Sequence, residues 1–129
     1  MKYLLAEEIL AIHDRMIDLT GGLKGVRDVG LLYSIAERPK MAMMGREFYP
    51  DIFAKASAYL EAIVTYHVFA DGNKRTAIAA THYFLRDNGY KLMVSTEAAH
   101  RLVMSVALNK KTIEEIATWL KKHSRKISA

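Results

Sequence analysis

Apolar side chains recur at three- and four-residue steps along most of this chain, which is the period of amphipathic helices. Leu5, Ile9, Ile12, Met16 and Leu19 mark the first helix, and Gly21-Gly22-Leu23-Lys24-Gly25 ends it. Asp28 is placed to cap a short second helix carrying Leu31, Leu32, Ile35 and Ala36. Pro39 stops that helix, because the residue before a proline avoids helical dihedrals. Residues 40–49 keep no period and read as a loop. From Pro50-Asp51 the positions Phe53, Ala56, Tyr59, Leu60, Ile63 and Val64, continuing to His67, predict a third helix of about 17 residues. Its apolar positions cover much of the circumference, so it is expected at the centre, packed on several sides. Gly72 interrupts the pattern. A fourth helix then runs from Asn73 through Ala77, Ala80, Thr81, Phe84 and Leu85 to the stop at Asn88-Gly89. Tyr90 to Val94 is expected to be a short extended connection. Ser95 or Thr96 opens a fifth helix (Leu102, Val103, Val106). Thr112 and Glu115, spaced as a capping box, open a sixth (Ile113, Ile116, Trp119, Leu120).

The expected fold class is therefore all-α, a single domain over residues 1–129. Composition agrees. At 129 residues, folding removes roughly two-thirds of the unfolded chain's surface, so one core suffices without disulfides or a structural metal. The chain has no cysteine, which excludes thiolate chemistry, cysteine-based zinc sites and a disulfide scaffold. No apolar run reaches the length of a membrane span, and Met1 to Glu7 turns acidic too early for a signal peptide, so a cytoplasmic protein with no membrane contact is expected. A net charge of +5 admits anionic ligands. No helix-turn-helix spacing surrounds a basic face, so direct nucleic-acid contact is not expected. Lys121, Lys122, Arg125 and Lys126 read as the solvated last turn of the sixth helix, complementing its dipole.

Reactive groups concentrate in His67-Val68-Phe69-Ala70-Asp71-Gly72-Asn73-Lys74-Arg75-Thr76, between the third and fourth helices. If Asp71 is the N-cap of the fourth helix, the N–H groups near Gly72, Asn73 and Lys74 lack intrahelical acceptors and point outward at the positive end of the dipole. That is an anion nest. Gly72 allows close approach, and Asn73, Lys74 and Arg75 add side-chain donors suited to phosphate. His67 is the candidate general base for a hydroxyl, imidazole being the side chain most often used for that task. Asp71 offers the carboxylate oxygen that Mg²⁺ prefers alongside substrate phosphates, and Phe69 is expected to pin the loop to the core.

Other readings stand beside this one. Asp-Gly-Asn alone fits an ordinary turn, with Asp71 a plain cap and Lys74 and Arg75 solvated. Adding His67 and Phe69 within the same ten residues favours chemistry. His67 and Asp71 as transition-metal ligands lack an evident third partner. His13, His82, His100 and His123 have no motif around them and read as surface or packing residues, although His82, two turns after Arg75, can share its face. The seven methionines read as gap-filling or loop residues. Gly21 to Gly25 lacks the spacing of a P-loop and reads as a turn.

HVFADGNKRTA resembles the core motif of the Fic/Doc family in its death-on-curing form, in which the motif joins two central helices. The resemblance extends to Tyr3-Leu4, Glu8 to His13, Gly21-Gly22-Leu23, Arg27-Asp28, Gly30-Leu31-Leu32, Ala36 to Pro39, Tyr49-Pro50-Asp51 and Leu85 with Asn88-Gly89-Tyr90. It implies a compact bundle of about six helices with the motif loop between two central ones. It further implies a toxin that transfers a group from Mg·ATP to a hydroxyl of a translation protein, elongation factor Tu being the family's target. An antitoxin, commonly a Phd-type repressor, is implied as partner, its C-terminal segment lying in the toxin groove. Matched residue by residue, His67 is the base, Phe69 the anchor and Asp71 the Mg²⁺ position, with Lys74 and Arg75 also catalytic. Gly72, Asn73, Lys74 and Arg75 form the phosphate cradle. Lys74 stands where adenylylating Fic enzymes carry a second glycine, and Ile78 where they carry a second arginine. Both departures are shared with Doc and favour γ-phosphate delivery. Adenylyl transfer, or a silent helical module that only holds a nucleotide or a partner peptide, are the alternatives.

Overall fold

The computed structural model describes residues 1–127. Among them are six α-helices: α1 (Ala6–Thr20), α2 (Val29–Glu37), α3 (Ile52–Tyr66), α4 (Asn73–Asp87), α5 (Thr96–Ala107) and α6 (Ile113–Lys122). Four helices, α2, α3, α5 and α6, are capped where the sequence starts them. Asp28 accepts from the Leu31 N–H, Asp51 from those of Phe53 and Ala54, and Ser95 from that of Ala98. Thr112 and Glu115 close a reciprocal box. No helix among the described residues is long and apolar enough to cross a membrane.

The core forms around α3, which packs on α2, α4, α5 and α6. Ala56, Ala58, Tyr59, Ala62 and Ile63 of α3 are fully buried, as are Ala77, Ala80, Phe84 and Leu85 of α4. The alanines on facing sides bring the two helices close together, and the larger rings and branched chains fill the flanks. In α1 the buried face is Ala6, Ile9, His13 and Ile17. Leu5 and Leu19 of the expected stripe are exposed, because α1 carries two apolar faces and only one meets α2 and α4.

Three expectations change. The 40–49 loop contains a small antiparallel hairpin, β1 (Ala42–Met43) with β2 (Arg46–Glu47), following a 3₁₀ turn at Arg38–Lys40. The extended stretch after α4 is a strand, β3 (Tyr90–Leu92), and it pairs with β4 (Ser124–Lys126). Arg125 and Lys126 therefore belong to a strand, not to the last turn of α6. Finally, α3 spans 15 residues and ends at Tyr66, one residue before His67.

Deleting the buried Leu60 side chain tests this architecture. Leu60→Ala is expected to cost about 2–5 kcal/mol through the cavity it leaves, whereas Lys126→Ala, whose side chain is exposed, should be nearly neutral. Equal midpoints in urea unfolding would contradict a core centred on α3.

Candidate functional site

The loop between α3 and α4 begins with a break in direction. His67 caps α3 in the left-handed region, at φ 51° and ψ 47°, and its side chain is exposed. A non-glycine residue is held there only when its surroundings fix it. Here the next residues do so: Val68 and Phe69 turn inward and are fully buried. Phe69, expected as the anchor, is thus enclosed by the core. Residues 68–70 run antiparallel to 25–27, with Arg27 N–H donating to Val68 O at 2.7 Å and Ala70 N–H to Gly25 O at 3.0 Å. The glycine-rich segment is therefore more than a turn, since it braces the motif loop.

The start of α4 differs from expectation. Gly72, not Asp71, is its N-cap, at φ 75° in the left-handed region. The Asp71 carboxylate instead accepts from the Gly72 N–H at 2.8 Å through Oδ1 and from the Leu23 N–H at 3.2 Å through Oδ2. With glycine as the cap, α4 receives no side-chain cap. Its first helical bond is Thr76 N–H to Gly72 O, so among the described residues the Asn73, Lys74 and Arg75 N–H groups have no partner. This is the nest that the sequence suggests, built without an Asp cap.

The side chains divide by task. Asn73 is expected to donate to phosphate, yet its amide binds the Phe69 backbone twice, accepting from N–H at 3.1 Å and donating to C=O at 3.0 Å. Arg75 donates through Nη1 to Thr20 Oγ1 and to Gly21 O, and its Nη2 lies 3.7 Å from Asp71 Oδ1. Lys74 is exposed and makes no hydrogen bond or ion pair among the described residues. His67, Asp71, Gly72, Asn73, Lys74 and Arg75 all line one cavity of about 280 Å³. Every expected site residue except the buried anchor thus meets in one place. Asp71 is the only carboxylate lining it, and no cluster of three or more His, Asp or Glu groups exists among the described residues.

His13, which the sequence reading treats only as a surface or packing residue, lies against this loop. It is fully buried, its ring stacks on Phe69 with centroids 3.8 Å apart, and Nε2 donates to Asp71 O at 2.7 Å. A signal was present: His13 falls four residues after Ile9 and four before Ile17, so it occupies a core position of α1.

A second, larger groove of about 700 Å³ lies between α1, α4 and α5. Ile12, Met16, Ile78 and Tyr83 line its apolar floor, while Arg15, Arg75 and Arg86 supply cations. His82 also faces it, and burial, aided by Arg86 and Lys91, holds its pKa below the ordinary value of 6.5.

Two measurements check these placements. A Cβ on Gly22, at φ +120°, would stand 2.5 Å from Asp71 Oδ2, whereas one on Gly21 meets nothing within 4 Å. Gly22→Ala is expected to cost about 1–3 kcal/mol and to lower the unfolding midpoint more than Gly21→Ala. Equal losses would show that the carboxylate yields freely. Because the His82 pKa is lowered by folding, the unfolded state takes up a proton that the folded state resists. The resulting stability is complete above pH 6.5 and is lost as pH falls through that value. His82→Gln should flatten the fall in Tm between about pH 7 and 5, and an unchanged slope would remove His82 as its source.

Comparison with known proteins points the same way. The model of the Fic/DOC family matches residues 3–85. The chain is 34% identical over 122 residues to "Protein kinase doc" of Escherichia phage P1, a match covering 95% of each chain. It is 37% identical over 121 residues to "Toxin Doc" of Mycolicibacterium smegmatis, covering 92% of this chain and 91% of that one. Similarity that runs through the motif and nearly end to end places this chain in the Fic/Doc family.

Proposed function

We propose that this chain is an ATP-dependent protein kinase of the Fic/Doc type, a toxin that moves the γ-phosphoryl group of Mg·ATP to a hydroxyl of a translation protein of the elongation factor Tu class. The observation that carries this reading is the shared cavity. It places the exposed imidazole of His67 beside the unpaired N–H groups of α4, the free ammonium of Lys74 and the Asp71 carboxylate. A binding module needs the donors but has no use for a base among them. The names of the two relatives, a protein kinase and a toxin, support the same class.

His67 takes the proton of the acceptor hydroxyl. The freed oxygen bonds to the γ-phosphorus as the bond from that phosphorus to the β–γ bridging oxygen breaks, and ADP leaves with the bond's electron pair. The N–H groups of Asn73, Lys74 and Arg75, with the Lys74 ammonium, bind the phosphate oxygens and face the charge that moves during transfer. Asn73 contributes by its backbone, its side chain being engaged in holding Phe69. The Asp71 carboxylate, part-exposed and the only acid in the cavity, fits a hard cation shared with phosphates. When bound there, Mg²⁺ neutralises phosphate charge. A cavity of about 280 Å³ suits a phosphate chain and leaves the nucleoside outside it.

Delivery of the γ-phosphoryl, and not AMP, follows from two positions. Lys74 puts a cationic arm where adenylylating relatives have a glycine. Ile78 lines the apolar groove where they have an arginine for the outer phosphates. That groove, apolar with Arg15, Arg75 and Arg86 along it, suits an acidic amphipathic segment such as the C-terminus of a Phd-type antitoxin. On this reading residues 1–129 act as one unit in the cytoplasm, where ATP and elongation factors are found, with no direct nucleic-acid or membrane contact.

The test is label transfer in a bacterial lysate. With γ-labelled ATP the protein should label one translation factor, with α-labelled ATP nothing. His67→Ala should abolish transfer while retaining nucleotide binding, and Asp71→Ala should lose the Mg²⁺-dependent part of that binding. Label from α-ATP would replace the kinase reading with adenylylation, and label from neither would leave a binding module.

A further inference from the structure

We infer that His13 of α1 is a positioning residue for the Asp71 carboxylate, acting through the peptide that joins Asp71 to Gly72. The inference rests on the proposed role of Asp71 and adds a residue outside the motif to that site.

A histidine with no exposed surface is costly unless its nitrogens are engaged. Leucine or phenylalanine would fill the same place between Ile9 and Ile17 at no such cost. His13 spends its donor on one target. A carbonyl oxygen only accepts, so Nε2 carries the hydrogen and donates it to Asp71 O at 2.7 Å, while Nδ1 stands 3.3 Å from Asp14 Oδ1. The ring is fixed by lying nearly parallel to Phe69, at 8°.

That target matters because a peptide is planar and trans, so its C=O and N–H point in opposite directions. The carbonyl held by His13 and the Gly72 N–H belong to one peptide plane. When His13 fixes the carbonyl, it fixes the direction of that N–H, which donates to Asp71 Oδ1 at 2.8 Å. Leu23 N–H holds Oδ2 at 3.2 Å from the other side. Both carboxylate oxygens are thus aimed by backbone donors, one of them set by His13. The fit against α1 is close: a Cβ on Gly72 would meet Ile17 Cδ1 at 2.9 Å and His13 Nε2 at 3.7 Å. The peptide has little room to rotate once Nε2 holds it, and nothing else described bonds to that carbonyl.

Two variants separate the ring from the donor. His13→Phe keeps a buried ring on Phe69 and loses the donor, whereas His13→Gln restores a donor of similar reach without the ring. Amide hydrogen exchange in the ligand-free protein reads the geometry directly. In His13→Phe the Gly72 and Leu23 amides should exchange about tenfold faster, each having lost a well-placed acceptor, while the Ala70 and Arg27 amides of the bridge stay as in the wild type. The Mg²⁺ dependence of ATP binding, measured by calorimetry, should weaken by about 10- to 100-fold, as for lost partners of metal ligands. Binding of ATP without Mg²⁺ should hold. His13→Gln should recover most of both effects. Wild-type protection of Gly72 and Leu23 in His13→Phe overturns the inference. So does faster exchange spread equally over the loop and the bridge, which would make His13 a core residue only. Asp71→Asn is the control for the underlying reading. If it keeps the wild-type Mg²⁺ dependence while His13→Phe still frees the two amides, the cation role of Asp71 falls and its positioning by His13 stands.

Discussion

Eleven of the fifteen residues of α3 are buried, and the rest of the structure meets the demands this makes. A helix enclosed on nearly all sides must find partners inside for every polar group it carries. The Lys55 ammonium has no exposure to speak of, and donates to Pro39 O, Tyr49 O and the Glu47 carboxylate. Arg38 reaches Tyr49 and Glu61. Together these two cations tie the whole 38–50 segment, exposed hairpin included, to α3. Tyr59 binds the Leu4 backbone, and its burial pushes the phenol pKa well above the ordinary range. Burying α3 therefore fixes the position of its end, and with it the place where the motif loop starts.

The loop then sorts its side chains by direction. Phe69 and the Asn73 amide face inward and are satisfied there, and they hold the backbone in a shape that short polar loops do not keep unaided. His67 and Lys74 face outward with no internal partner among the described residues. The division explains why the motif needs both kinds of residue. On the proposed reading, a base and a cation free to meet substrate are useful only on a frame whose own hydrogen bonds are already made.

Most helices were legible because their evidence is local. Spacing within a few turns, together with Asp28, Asp51, Ser95 and the Thr112–Glu115 box, fixes both their existence and their starts. The β3–β4 pair was not, since Tyr90 meets Lys126 across the whole C-terminal third of the chain and its second strand is Ser-Arg-Lys, without an alternating apolar pattern. The motif loop was legible as a cluster of reactive types, but its internal bonding was not. Asn73 and a free donor look alike in sequence, and which residue caps α4 depends on Gly72 adopting a left-handed conformation that Asp71 then binds. His13 and the Gly22–Leu23 turn were missed for a different reason. Their partners lie 58 and 48 residues away, so no local pattern connects them to the site.

Those distant contacts share one electrostatic logic. The C-terminal end of α1 and the N-terminal end of α4 approach each other at the site, one with unpaired carbonyls and the other with unpaired N–H groups. The last turn of α1 holds no basic residue of its own. Arg75, from the first turn of α4, supplies that charge by donating to Thr20 and to Gly21 O, and its other nitrogen stands near Asp71. Its guanidinium is therefore already committed to α1, while the α4 N–H groups are left for an anion. Arg75 lines both the motif cavity and the apolar groove. Whatever fills the groove meets the same side chain that borders the unpaired N–H groups of α4, so the two cavities are joined by one cation and not merely adjacent.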